Sequence, residues 1–121
     1  MQESIGGGRW RSERAEELLR REGVLTASDD FIDGSGLSHS NRLSATTLVG
    51  VLKEAQANPD WGDVLVRSLP QGGEGTLVRR LKGPAVRNRV HAKTGYINGV
   101  ASLAGTVTSR SGTPYAFAFL M

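Results

Sequence analysis

Apolar residues at Ala15, Leu18 and Leu19 fall on one face of a 3.6-residue period and predict a first helix from Ser12 to about Glu22. Ser12 suits the N-cap, Glu13 and Glu16 suit the positive end, and Gly23 suits the stop. Val24-Leu25-Thr26 reads as a short strand. The stretch from Asp29 to Ser40 is dense in Asp, Gly and Ser and reads as turns. A second helix is expected from Ser44, turning Leu48, Val49, Leu52 and Ala55 inward and stopping at Asn58-Pro59. Trp61 to Leu69 predicts a short third helix, ended by Pro70.

The texture then changes. Gln71 to Gly75 reads as a flexible glycine-rich connection, and Thr76 to Leu81 as one or two helical turns. Arg87 to Thr94, Val100 to Thr108 and Tyr115 to Met121 read as strands, with a hairpin loop at Ser109-Arg110-Ser111-Gly112. Helices followed by an antiparallel meander place the chain in the α+β class. The apolar run Tyr115 to Met121 reaches the last residue with no polar tail, so a truncated domain is expected.

Length and composition narrow the classes. With 121 residues and 38% hydrophobic positions, one core is affordable and disorder is excluded. No apolar run reaches the roughly 18 residues of a membrane span. The absence of Cys removes disulfide scaffolds, zinc ribbons and thiol nucleophiles. The N-terminal residues Met1 to Gly8 lack a signal-peptide pattern. Net charge is +3. Basic residues gather at Arg9, Arg11, Arg14, Arg20 and Arg21, and again at Arg79, Arg80, Lys82, Arg87 and Arg89. Only Trp10 interleaves with either cluster, whereas nucleic-acid binders supply stacking aromatics. The clusters read as solvated faces or as attraction to an anionic surface.

Candidate chemistry is sparse. His39 and His91 have no acidic neighbour in sequence, and no His-x-x-x-His pair exists, so neither a His-based hydrolase nor a metal site is expected. Gly72, Gly73 and Gly75 do not complete a phosphate loop, because Gly75-Thr76-Leu77 lacks the lysine. Lys93-Thr94-Gly95, near the end of a predicted strand, is more suggestive. An ammonium raises the potential where a carboxylate docks, a hydroxyl can bond that carboxylate, and a glycine admits substrate backbone to the strand edge. His91 shares a strand face with Lys93 and reads as a residue beside the site.

Lys-Thr-Gly is one of three signatures of penicillin-binding proteins and serine β-lactamases. In order along the chain stand Asp33-Gly34-Ser35-Gly36-Leu37-Ser38, Asn41-Arg42-Leu43-Ser44, Ser68-Leu69-Pro70, Gly75-Thr76-Leu77 and His91-Ala92-Lys93-Thr94-Gly95. This series resembles the D-alanyl-D-alanine carboxypeptidase/endopeptidase family, the class C low-molecular-mass penicillin-binding proteins. The resemblance runs from about Gly23 to Met121 and spans roughly the last quarter to third of a family member. It implies that residues 1–121 are the C-terminal portion of a transpeptidase-like domain, truncated at both ends. It implies an enzyme of the cell envelope or periplasm that removes the terminal D-alanine of peptidoglycan stem peptides, possibly also cutting cross-links, and is trapped by β-lactams. No cofactor is implied. Lys93 would supply positive potential, Thr94 would hold the substrate carboxylate, Gly95 would complete the motif, and the backbone N–H of Tyr96 would form half of an oxyanion hole.

The other two signatures are absent. Gly50, Arg79 and Val90 stand three residues before Lys53, Lys82 and Lys93, so no Ser-x-x-Lys exists and the chain holds no family nucleophile. His39, Gln56, Val86 and Tyr96 stand two residues before the four asparagines, so no Ser-x-Asn exists either. The isolated chain is therefore expected to be inactive and poorly stable, lacking the N-terminal part of its own domain. Two other readings compete: a non-catalytic peptidoglycan- or partner-binding module, and a small basic nucleic-acid-binding domain.

Overall fold

Helix α1 covers residues 13–21 of the computed structural model, which describes residues 13–121. The expected N-cap Ser12 and the basic stretch around Trp10 lie outside the described residues. Gly23 ends α1 at φ 71°, with Gly23 N–H donating to Arg20 O and Val24 N–H to Leu19 O at 3.0 and 2.9 Å. This is a Schellman stop, and it uses up the Val24 amide. Thr26 N–H and its hydroxyl go to the Asp29 carboxylate at 2.6 and 2.9 Å. With those donors committed, the expected strand Val24-Leu25-Thr26 does not form, and the segment is irregular.

The chain divides into two units, Met1–Thr47 and Leu48–Met121, with the boundary in the first turn of helix α2 (Ala45–Ala57). In the first unit, Asp30 and Arg42 exchange backbone hydrogen bonds at 2.7 and 2.8 Å and close the loop between them. Ser44 caps α2, its hydroxyl accepting from Thr47 N–H at 3.0 Å. Asp29, only 6% exposed, ties these pieces together: it accepts from Ser44 N–H at 2.8 Å, from the Thr47 hydroxyl and from both Thr26 donors.

The second unit begins on α2, whose Leu52 and Ala55 are buried while Leu48 and Val49 are half-buried. Helix α3 (Gly62–Ser68) starts against it, where a Cβ on Gly62 would lie 1.6 Å from Ala55 O. The expected helical turns at Thr76 to Leu81 shrink to a single 3-10 turn at Gly75–Leu77, because Leu81 takes φ 53° and breaks the spiral. The glycines before it are not a flexible connection. A Cβ on Gly72 would lie 2.1 Å from Leu81 O and 2.9 Å from Arg87 Cα, so the chain is packed there, and only glycine fits.

Three strands follow in the order β1 (Val90–Ile97), β2 (Val100–Thr108), β3 (Pro114–Leu120), all antiparallel. The α+β class and the meander are as expected, but the first strand is displaced. Residues 84–89 turn, with Arg87 N–H bonded to Gly83 O and Arg89 N–H to Val86 O, so β1 starts at Val90 and runs on to Ile97. Asn98-Gly99, with Gly99 at φ 83°, closes the β1–β2 hairpin, and Gly112 at φ 89° lies in the expected loop between β2 and β3. Leu77, Val90 and Ala92 form the core, with Leu81, Leu103, Val107 and Phe117 packed on it.

Asp29 carries a pH dependence. Burial alone would raise its pKa, but the hydrogen bonds from Thr47, Thr26 and Ser44 outweigh burial and hold the carboxyl below its ordinary value. A depressed pKa contributes stability that is full above the unfolded-state value and is lost as pH falls through the folded one. Asp29→Asn is expected to cost about 1–3 kcal/mol at pH 7 in urea unfolding and to flatten the loss of stability below roughly pH 4.

Candidate active site

Lys93, Thr94 and Gly95 occupy the middle of β1, not its end, because the strand starts late and continues to Ile97. In the three-stranded sheet β1 is an outer strand, so the direction of its peptide groups decides what it offers. Val90 O accepts from Gly72 N–H at 3.3 Å and Ala92 N–H donates to Pro70 O at 2.9 Å, both on the side away from β2. Successive residues in a strand point their peptide groups to opposite sides. The N–H and C=O of Thr94 and Tyr96 therefore face outward too, while those of His91, Lys93, Gly95 and Ile97 serve the ladder to β2. Residues 70–72 cover the outer edge as far as Ala92. Beyond that point no described residue pairs with it, and the open edge begins at the motif.

The side chains flank this edge. Lys93 is exposed and its Nζ donates to Thr94 O at 2.7 Å, which brings the ammonium round to the open side. Thr94 is half-buried on the opposite face of the strand. Tyr96 is 79% exposed. Gly95 pairs with Ser102, and a Cβ on it would lie 2.4 Å from Ser102 Oγ. A Cβ there would have to displace the Ser102 hydroxyl, so packing inside the sheet favours the glycine independently of anything that approaches the edge. His91 shares the Lys93 face, and its Nδ1 lies 3.5 Å from Leu69 O and beside no carboxylate, which leaves no triad. Among the described residues no cluster of His, Asp or Glu could hold a metal.

The first unit builds a second polar structure. Asp33 accepts from Asn41 Nδ2 at 3.1 Å, from Gly36 N–H at 2.7 Å and from Ser38 N–H at 2.9 Å. The Asn41 bond leads these in holding the Asp33 carboxyl below its ordinary pKa against the opposing effect of burial. Asn41 Oδ1 accepts from Ile32 N–H at 2.8 Å, so the asparagine laces Asp33-Gly34-Ser35-Gly36-Leu37-Ser38 into a fixed loop. Ser102, which packs against Gly95, was not singled out from the sequence; the Asn98-Gly99 turn, which sets Ser102 opposite Gly95, is the signal that could have found it.

The model of the D-Ala-D-Ala carboxypeptidase 3 (S13) family matches residues 9–121. The chain belongs to that family. It is 40% identical over 119 residues to a D-alanyl-D-alanine carboxypeptidase of an Actinomadura species, covering 92% of this chain and 22% of that one. It is 41% identical over 108 residues to carboxypeptidase DacB of Mycolicibacterium smegmatis, covering 84% and 24%. The crystal structure of penicillin binding protein 4 (dacB) from Haemophilus influenzae, complexed with a β-lactam, superposes with a TM-score of 0.81 at 32% identity. It covers 90% of this chain and 25% of that one. The S13 chain thus spans about a quarter of the length of the relatives it matches.

The Gly95–Ser102 contact isolates the packing role of this glycine. Gly95→Ala is expected to cost about 1–3 kcal/mol in thermal or urea unfolding, as overpacking does. Gly95→Ala with Ser102→Ala should recover most of that loss, since the next nearest atom, Ser102 Cβ, lies at an ordinary 3.8 Å.

Proposed function

We propose that the protein carrying this chain is a serine-type D-Ala-D-Ala carboxypeptidase of the cell envelope, acting on peptidoglycan stem peptides, and that residues 1–121 supply its substrate-docking strand. The observation that carries the reading is the open outer edge of β1, which starts at the Lys93-Thr94-Gly95 motif and turns the Thr94 and Tyr96 peptide groups outward. A stem peptide ends in a carboxylate after an extended D-Ala-D-Ala backbone. An extended backbone can add to this edge as a further strand, with main-chain hydrogen bonds providing affinity. Lys93 then lies where the terminal carboxylate needs positive potential, and the Thr94 hydroxyl can donate to it.

The chemistry follows from that placement. A serine Oγ attacks the carbonyl of the penultimate D-alanine, the amide bond breaks, and the terminal D-alanine leaves as the free amine after taking up a proton. Water then hydrolyses the ester and regenerates the serine. The outward N–H of Tyr96 suits the developing oxyanion as one of its two donors. The nucleophile is not among these residues, since no Ser-x-x-Lys occurs in them. The chain alone therefore binds at most an anionic peptide end and forms no acyl-enzyme. β-Lactams act on the intact enzyme only.

Fluorescent penicillin tests this directly. The 121-residue chain should take no covalent label, and the protein that joins it to a Ser-x-x-Lys segment should label at that serine. In that protein Lys93→Gln is expected to slow acylation roughly ten- to hundredfold with little change in melting temperature, the worth of one charge-assisted hydrogen bond. Unchanged acylation by a folded Lys93→Gln protein would overturn the role of the lysine. Absence of labelling in the joined protein would leave a non-catalytic binding module as the better account.

A further inference from the structure

Residues 75–121 contain no aspartate or glutamate and seven lysines and arginines, whereas residues 1–74 hold eight such cations against twelve anions. An asymmetry of this size concentrates the positive field in one region of the chain. Lys93 belongs to the strand edge already described. The other six, Arg79, Arg80, Lys82, Arg87, Arg89 and Arg110, gather at one end of the sheet. Arg89 O accepts from Thr108 N–H at 2.9 Å where β1 begins and β2 ends, and Arg110 stands in the turn that follows β2.

The loop that carries five of them is held in shape. Gly73 N–H donates to Leu77 O and Arg80 O at 3.1 and 3.0 Å, and Gly72 packs against Leu81 and Arg87. All six side chains are exposed except that of Arg89, which is half-buried, and none of them makes an ion pair with a described residue. Two apolar side chains stand among the cations: Val78, 60% exposed, and Val86, 37% exposed. No aromatic residue lies between 78 and 89. A surface built for single-stranded nucleic acid stacks bases on rings, which leaves the duplex as the competitor to test. Exposed valines among arginines suit a lipid interface, where cations meet headgroup phosphates and aliphatic tips enter the acyl boundary.

We propose that this end of the sheet docks on an anionic membrane surface. The motif lies four to six residues beyond Arg89 along β1, roughly 13–20 Å away at the rise of a strand, so docking leaves the open edge free. The inference stands on charge and exposure alone and does not depend on the catalytic reading.

Sedimentation of the full-length protein that carries this chain with sucrose-loaded vesicles tests it, with a vesicle-free tube to subtract self-association. The protein should partition onto phosphatidylcholine vesicles containing about 30% phosphatidylglycerol, less so as salt rises, and not onto phosphatidylcholine alone. Neutralising Arg79, Arg80, Lys82 and Arg87 together to Gln should lower the partition coefficient at least about a hundredfold, at roughly fivefold per cation. Neutralising Arg14, Arg20, Arg21 and Lys53 to Gln, the same change in net charge, should lower it much less. Val78→Ser with Val86→Ser should weaken the binding that survives at high salt. The proposal is overturned by equal binding to neutral vesicles, by no binding, by equal losses in the two fourfold variants, or by tighter binding to a duplex oligonucleotide than to the anionic vesicles.

Discussion

The close approach of β1 to β2 is the constraint on which the rest of the second unit depends. At Gly105 a Cβ would lie 2.1 Å from His91 O and 2.5 Å from Ala92 Cα, and at Gly95 it would meet Ser102. These two glycines let the strands close, and the short Asn98-Gly99 connection sets the register in which Ile97 faces Val100. Once the register is set, strand geometry leaves no freedom in the peptide groups. A slip by one residue would turn the Thr94 and Tyr96 amides into the sheet and send those of Lys93 and Gly95 outward. The same slip would move Val90 and Ala92 off the core they share with Leu77. Core packing and site geometry are therefore enforced together.

The covering segment completes the device. Residues 70–72 occupy the outer edge of β1 only as far as Ala92, and the tight fit of Gly72 under Leu81 and Arg87 keeps them there. The segment thus works as a stop that marks where a further strand can begin. A glycine needed for packing in one place thus fixes where the open edge begins in another.

Much of this was legible in the sequence, and what was hidden has physical causes. The three helices, the meander and the Lys93-Thr94-Gly95 motif could be read from periodicity, breakers and residue types, because those signals are local. The strand at Val24-Leu25-Thr26 failed because its amides were claimed by a helix stop and by Asp29, a partner fixed by loop geometry. The start of β1 failed because residues 84–89 form consecutive turns that hydropathy does not mark. Gly72 read as flexible because a glycine required by close approach looks the same in sequence as one that is merely tolerated. The open edge was beyond reach, since it depends on which side of β1 meets Pro70. Tyr115 and Phe119 of β3 are exposed.

The central claim is that the outer edge of β1 is closed up to Ala92 and open from Thr94 onward. Amide hydrogen exchange followed by NMR reads this residue by residue. The amides of His91, Lys93 and Gly95, bonded to β2, and that of Ala92, bonded to Pro70 O, should exchange slowly. The amides of Thr94 and Tyr96 should exchange much faster than these neighbours, in an alternating pattern that begins at the motif. Slow exchange at Thr94 and Tyr96 with fast exchange at Lys93 and Gly95 would mean the opposite register, and would contradict the account of both the sheet and the site.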